Sequence, residues 1–300
     1  MPFWSKKAPH HLRLPVATIK GSAPAKVNLT LHVTGQRNDG YHLLDSLVVF
    51  AEVFDQITGT LASNLQITVN GPFAQGVPTD HTNLVMRAAT ALRRARHVTA
   101  GAHLQLEKHL PHSAGIGSGS SDAAVTLAML AKLWNVPPLL ASAPEIIALG
   151  ADIPVCLQAP DPTHMTGIGE ILLPVPILPE CALVLINPRV SVSTAAVFNG
   201  LAIKWNSNMD TLPKGLNFEA FAAWLAAQRN DLEQHAVAIA PEVNIVLEKL
   251  RSVPKVAHAA MSGSGATCYG LVRNKADARQ VARAIQVAHM GWWVAPAGVL

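Results

Sequence analysis

Charge is scarce in this chain. Asp, Glu, Lys and Arg together make up 14% of the 300 residues, against about a quarter in an ordinary soluble domain. The formal net charge of +4 is spread out except at Arg93, Arg94 and Arg96. Those three end an apparent helix, where cations complement the dipole, so a nucleic-acid stripe is not expected. Cysteines number three, Cys156, Cys181 and Cys268, far apart and odd in count. They make neither a disulfide framework nor a metal pattern, and fit a reducing cytoplasm. The thirteen histidines form no H-E-x-x-H and no Cys/His ligand spacing, so no structural metal is expected. No apolar run approaches the ~18 residues of a membrane span. The first residues carry Lys6, Lys7 and Arg13 without an apolar core, which argues against a secretory leader. Half of the chain is apolar, much of it alanine, as in a compact enzyme and unlike a disordered chain.

A second absence bears on the most distinctive stretch, Leu110–Asp122, in which Gly115, Gly117 and Gly119 alternate with small residues. An apolar run suited to a helix follows from Ala123 to Trp134, with Ser120, Ser121 or Asp122 as N-cap candidates. A glycine-rich loop feeding a helix N-terminus offers free N–H donors and about half a positive charge to an anion. The same pattern also suits a plain loop before a core helix. No lysine lies between Leu110 and Leu130, which excludes a P-loop. The third glycine of a dinucleotide fingerprint is replaced by Ser120, and no acidic residue stands about 20 positions on. Neither H-R-D nor D-F-G occurs, so the protein-kinase set is absent.

Residues 1 to about 20 read as a loose extension. From Ala25 to Val33, apolar Val27, Leu29, Leu31 and Val33 alternate with Lys26, Asn28, Thr30 and His32. Period two predicts one half-buried strand on which Lys26 and Asn28 face the same way, about 7 Å apart. Asn38-Asp39-Gly40 predicts a turn into a strand from Tyr41 to Phe50. Tyr41 there is either a surface packing residue or a stacking platform. Strands are predicted around 65–69, 103–107 and 182–186, and helices over 83–96, 144–149, 218–228, 241–251 and 275–289. A further helix begins near Thr194, and Thr166–Glu170 reads as a turn. Gly150 is placed as the C′ residue of the 144–149 helix, and Asp152 is an N-cap or a functional carboxylate. Met261–Thr267 is a second glycine-rich connection between strands, 203–216 stays unassigned, and Ala159–Pro162 is the expected boundary between halves. Strands and helices mix without regular βαβ alternation, which points to α+β.

Four pieces, Pro24–Asn28, Pro111–Ser121, Gly150–Pro154 and Ser262–Gly265, occur in an order that resembles the GHMP kinase superfamily of small-molecule kinases. Gly35–His42 and Gly167–Glu170 are most similar to its branch acting on a cytidine-diphosphate-linked methylerythritol in the non-mevalonate isoprenoid route. The resemblance runs from roughly residue 22 to the C-terminus and is weakest over 200–240. It implies a two-domain α+β fold: an extension over 1–21, a half over 22–160 like the second domain of ribosomal protein S5, and a C-terminal GHMP kinase domain over 161–300. It also implies that ATP, with Mg²⁺, phosphorylates the acceptor's 2-hydroxyl.

Residue by residue, Lys26 and Asp152 match the catalytic pair. Pro111, His112, Ser113, Ala114, Gly115, Ile116, Gly117, Ser118, Gly119, Ser120 and Ser121 would wrap the ATP phosphates, with Gly263, Ser264 and Gly265 closing from the other half. Tyr41 and Phe198 match aromatics that sandwich cytosine, and His42 the residue that reads its edge. Asn28 and Thr194 match further substrate positions. The family often has glycine at Ser113, Ala114 or Ser118, and nothing in it corresponds to the residues before Gly21. The expected partner is a small molecule, with no nucleic acid and no membrane, in a cytoplasmic monomer or weak homodimer. The rival readings are a kinase of homoserine, mevalonate or a sugar, and a non-catalytic nucleotide- or RNA-binding module.

Overall fold

The computed structural model describes residues 17–300; most of the expected N-terminal extension lies outside the described residues. The first half comprises β1 (Thr18–Asn28), β2 (His32–Gln36), β3 (His42–Ala62), β4 (Gln66–Asn70), α1 (Leu84–Ala95), β5 (Gly101–Glu107), α2 (Ser118–Leu133), α3 (Pro144–Leu149), α4 (Ile153–Cys156), β6 (Thr163–Gly167) and β7 (Ile171–Pro174). The second comprises β8 (Ala182–Asn187), α5 (Thr194–Asn199), α6 (Phe218–Ala227), α7 (Glu233–Ile239), α8 (Glu242–Arg251), β9 (His258–Met261), β10 (Cys268–Val272), α9 (Lys275–Ala288) and β11 (Trp293–Gly298).

Strand β3 organises the first sheet. It pairs antiparallel with β1, β2, β5 and β6 along its length, and β4 and β7 form the outer ends. Its side chains alternate between two cores. Val48 and Phe50 join Leu104, Leu106, Leu127 and Leu130 under α1 and α2. Leu47 and Val49 face Leu183, Leu185 and Tyr269 of the second sheet. In that sheet, ordered β11-β8-β10-β9, β8 likewise sends Val184 and Ile186 to a third core with Val246, Leu250, Val281 and Ile285. Burial on both faces explains why β3 and β8 carry continuous apolar runs instead of alternation. The result is helix, sheet, sheet, helix in layers, an α+β arrangement as expected. Among the described residues no helix is long and apolar enough to cross a membrane.

The structure corrects several expectations. The single strand over 25–33 is two strands. Thr30 Oγ1 accepts the Leu47 N–H at 2.8 Å, and Leu31 N–H turns to Arg229 O at 3.0 Å, so side-chain and long-range partners replace the ladder there. Its polar face is buried, not solvated, because loops of both halves cover Lys26, Asn28, Thr30 and His32. Helix α2 starts earlier than expected, with Gly117 as N-cap, so Ser120, Ser121 and Asp122 sit within its first turns. Gly150 caps α3 in an extended conformation, without the left-handed C′ geometry. Residues 18–20 belong to β1, outside any loose extension. The Ala159–Pro162 segment does not divide the sheets: β6 pairs with β3 from Leu44 to Val48, and the first sheet continues to Pro174. Residues 203–216 carry no helix or strand. Helix α7 and strands β6, β7 and β11 had no prediction. Pro296 within β11 is tolerated because that strand is an edge.

Candidate active site

Between the halves lies a cavity of about 920 Å³, at the upper end of the range for small-molecule sites. At its centre Lys26, carried by β1, is 4% exposed. Its Nζ donates to Asn28 Oδ1 at 2.9 Å and to Asp152 Oδ1 at 3.1 Å. The period-two geometry of β1 thus brings Lys26 and Asn28 together as expected. Asn28 is fixed in turn, donating from Nδ2 to Ser46 Oγ at 2.8 Å, while Ser46 Oγ donates to Thr30 O. Asp152 occupies the N-cap position of α4 but makes no capping hydrogen bond. The N-cap alternative therefore gives way to the lysine pair. Its Oδ2 makes no hydrogen bond within the described residues, and 40% of the side chain is exposed to the cavity.

One wall is the loop into α2, whose three glycines serve three different ends. A Cβ on Gly115 (φ 75°) would strike Gly265 N at 2.8 Å, so this residue lets the two glycine loops interlock. A Cβ on Gly117 would stand 3.0 Å from Lys26 Cε, so this glycine gives the lysine stem its passage. A Cβ on Gly119 would meet no protein atom and would project into the cavity, the space an anion at the N-terminus of α2 would use. The loops are tied by Ser262, which donates from Oγ to Gly115 O at 2.9 Å and accepts from Asn28 N at 3.1 Å. Asn230 Nδ2 holds the second loop, donating to Met261 O and Gly263 O at 2.8 and 2.9 Å. Thr194 and Ser264 hydroxyls pair at 2.8 Å.

His112, Ser113, Ala114, Gly115, Gly117, Ser118, Gly119, Ser120, Gly263 and Ser264 line the cavity, with Asn28, Tyr41, His42, Thr194 and Phe198. Pro111, Ile116, Ser121 and Gly265 do not. Ile116 is fully buried in the inter-sheet core, and its carbonyl accepts Lys26 N–H at 2.9 Å. Pro111 O accepts from Ser118 Oγ, Ser121 is fully buried, and Gly265 packs against Met261. These four shape the loops from behind.

Beneath the loop lies a cluster that sequence reasoning missed. Lys108 Nζ donates to Asp55 Oδ2 and, at 2.7 Å, to Asp122 Oδ2, all three side chains being nearly inaccessible. Asp55 Oδ1 also accepts the N–H groups of His109 and Leu110 at 2.6 and 2.9 Å, anchoring the start of the loop. The three residues lie 53 and 14 positions apart, with no local pattern to flag them. Burial pushes the Asp122 carboxyl up to about 7, against the pull of Lys108. The folded state then holds a proton that the unfolded chain releases near the ordinary 3.8, so stability falls as pH rises between those values. Asp122→Asn removes this titration. Its stability relative to the parent should improve between about pH 4 and about pH 7.5 in urea unfolding; an unchanged difference would contradict the assignment.

At the other end, Tyr41 is 56% exposed, with its ring open to the cavity. His42 and Phe198 rings lie 5.0 Å apart, tilted by 32°. His42 Nε2 is buried without a hydrogen-bond partner among the described residues. Burial, and secondly Lys204, push the imidazole below its ordinary value, so it is neutral near pH 7. A neutral ring nitrogen left unpaired beside the Phe198 ring suits the polar edge of a flat heterocycle.

The family model for the GHMP kinases N terminal domain matches residues 83–165, and that for the GHMP kinases C terminal matches 214–290. A 4-diphosphocytidyl-2-C-methyl-D-erythritol kinase of Cereibacter sphaeroides (strain ATCC 17029 / ATH 2.4.9) is 52% identical over 277 residues, 92% of this chain and 97% of that protein. The kinase of the same name from Ruegeria pomeroyi is 49% identical, over 94% of this chain and 99% of its own. Among solved structures, a 4-(cytidine 5'-diphospho)-2C-methyl-D-erythritol kinase superposes with TM-score 0.75 at 30% identity, covering 93% of this chain and 99% of that one. A homoserine kinase from Cytophaga hutchinsonii has TM-score 0.66 at 16% identity over 97% and 98% of the two chains, a likeness of fold alone. On both domains and on the identity of its relatives, the chain belongs to the GHMP kinase family.

Proposed function

We propose that this protein transfers the γ-phosphoryl group of ATP to the 2-hydroxyl of 4-diphosphocytidyl-2-C-methyl-D-erythritol, a step in non-mevalonate isoprenoid biosynthesis. One observation carries the reading: a single cavity holds the Lys26–Asp152 pair between a glycine-lined anion cradle and an aromatic subsite with an unpaired imidazole nitrogen. Relatives near 50% identity across nine-tenths of the chain bear that kinase's name.

Phosphoryl transfer through a loose transition state asks the protein mainly for positioning and charge neutralisation. The free N–H groups at the start of α2 and the loop backbone hold the donor phosphates. Lys26 faces the charge on the transferring group. Asp152 aligns the acceptor hydroxyl and takes up its proton as the new O–P bond forms and the bond to the leaving ADP breaks. Mg²⁺ fits as a cation carried mainly by the phosphates, since such sites need few protein ligands. The cavity offers the Ser120 hydroxyl, and no cluster of three His, Cys, Asp or Glu exists among the described residues. Bound there, the ion would offset phosphate charge.

At the acceptor end, Tyr41 and Phe198 embrace the cytosine and His42 Nε2 meets its edge. Tyr41→Ala should therefore raise the acceptor KM by the ~1–3 kcal/mol of a base–aromatic stack, roughly 5- to 150-fold, with the ATP KM unmoved. Equal loss toward both ligands would make Tyr41 a packing residue. The reaction itself is tested by ³¹P NMR of the product. A new phosphomonoester on the 2-position beside an intact diphosphate is expected, whereas ADP with inorganic phosphate alone would refute the transfer.

A further inference from the structure

The turn between β6 and β7, Gly167–Glu170, is unused by the chemistry above although it borders the cavity. We propose that this turn is the positioning element for Asp152, and that through it the catalytic carboxylate is held in register with the subsite that grips the acceptor's base. The inference rests on the reading of Asp152 as the residue that receives the acceptor's proton.

The turn is built to be rigid. Ile168 N–H donates to Glu170 Oε2 at 2.6 Å, and Gly169 N–H to Thr166 O at 3.2 Å. The Glu170 carboxylate folds back beneath Gly167, where a Cβ would stand 2.5 Å from Oε2. Gly167 and Gly169 take φ of 70° and 121°, which side chains other than glycine's rarely allow.

Gly169 then presses on the backbone next to the catalytic residue. A Cβ there would lie 2.6 Å from Ala151 O and 3.3 Å from Ala151 C. On the other side of Ala151, Gly150 O accepts the Ile153 N–H at 3.1 Å, and a Cβ built on Gly150 would meet Ile153 Cδ1 only at 3.9 Å. Among the described residues Asp152 makes one side-chain hydrogen bond, to Lys26, and 40% of its side chain is exposed. Its position therefore follows its backbone, which α4 holds from behind and Gly169 from the front.

The same hairpin reaches the acceptor end. Gly167 pairs with Leu44 of β3, two residues beyond His42, and Ile168 lines the cavity together with Ala151 and Asp152. One short hairpin thus spans from the strand bearing His42 to the backbone bearing Asp152. It sets how far from the gripped base a hydroxyl must lie to meet the carboxylate.

The test compares Gly169→Ala, Glu170→Ala and Glu170→Gln with Asp152→Asn and the Gly169→Ala/Asp152→Asn double variant. Turnover is expressed per nucleotide-binding site, counted by titration with a fluorescent ATP analogue, so that unfolded protein drops out. Gly169→Ala should lower kcat on the order of 10-fold or more with the ATP KM within about twofold, since small misplacements of a reacting group cost rate, not donor binding. Glu170→Ala should do the same, and Glu170→Gln, which keeps an oxygen for the Ile168 N–H, should recover most of the rate. The double variant should be no slower than Asp152→Asn alone, because the turn acts through that residue. Unchanged kcat per site in both alanine variants overturns the proposal, as does a further loss in the double variant. If Asp152→Asn itself turns over normally, the base assignment fails and the proposal with it. A normal Gly169→Ala beside an inactive Asp152→Asn defeats the turn's role alone.

Discussion

Replacing Asp152 by asparagine should lower kcat by 10²-fold or more while the ATP KM stays within about twofold. Asparagine fills the same volume and can still accept from Lys26 Nζ, now 3.1 Å from Oδ1. What it loses is the charge and the capacity of Oδ2 to take a proton. The donor phosphates are held by backbone N–H groups of the loop and of the α2 N-terminus, which the substitution leaves in place. The effect should therefore fall on the chemical step. Steady-state kinetics with both substrates varied will show it, and a kcat within threefold of the parent would remove Asp152 from the mechanism.

Lys108→Met should destabilise the fold by roughly 3–5 kcal/mol, the usual cost of breaking a buried ion pair from one side. Its ammonium stands between Asp55 and Asp122, both at most 2% exposed, and among the described residues no other cation pairs with either. Methionine matches the stem but leaves two carboxyl groups facing each other in the core. Protonation of Asp122 relieves part of this, whereas Asp55 must still accept the N–H groups that begin the phosphate loop. Loss of ATP affinity should accompany the loss of stability. A change below about 1 kcal/mol in urea unfolding would mean that Lys108 contributes volume alone.

The parts of the site legible in the sequence were those with local pattern. Alternation placed Lys26 and Asn28 on one face, and glycine spacing before an apolar helix marked the anion cradle. The separate duties of the three glycines had no local signal. Gly115 answers to Gly265, and Gly117 to a lysine some ninety residues upstream, so only the assembled halves reveal them. Asn230, which holds the second glycine loop, lies in the stretch of weakest resemblance, and its partners are carbonyls that leave no mark on sequence. The break in the 25–33 strand was hidden because apolar alternation continues through it. Val27 and Leu29 enter the inter-sheet core, while Leu31 and Val33 enter that of the second half. The boundary at Ala159–Pro162 misled because two prolines suggest a linker, yet the strand after it returns to β3. Phe198 and Tyr41, distant in sequence, are paired there by the resemblance alone, and α5 and the β2–β3 turn bring both to one cavity.

Acceptor choice separates this kinase from its rivals most directly. ADP release from ATP is to be measured with 4-diphosphocytidyl-2-C-methyl-D-erythritol, mevalonate and homoserine in turn. The first should be preferred by on the order of 10⁴-fold in kcat/KM, since the others leave His42 Nε2 unpaired and Tyr41 unstacked. Comparable turnover with mevalonate or homoserine, or ADP release indifferent to any acceptor, would contradict it.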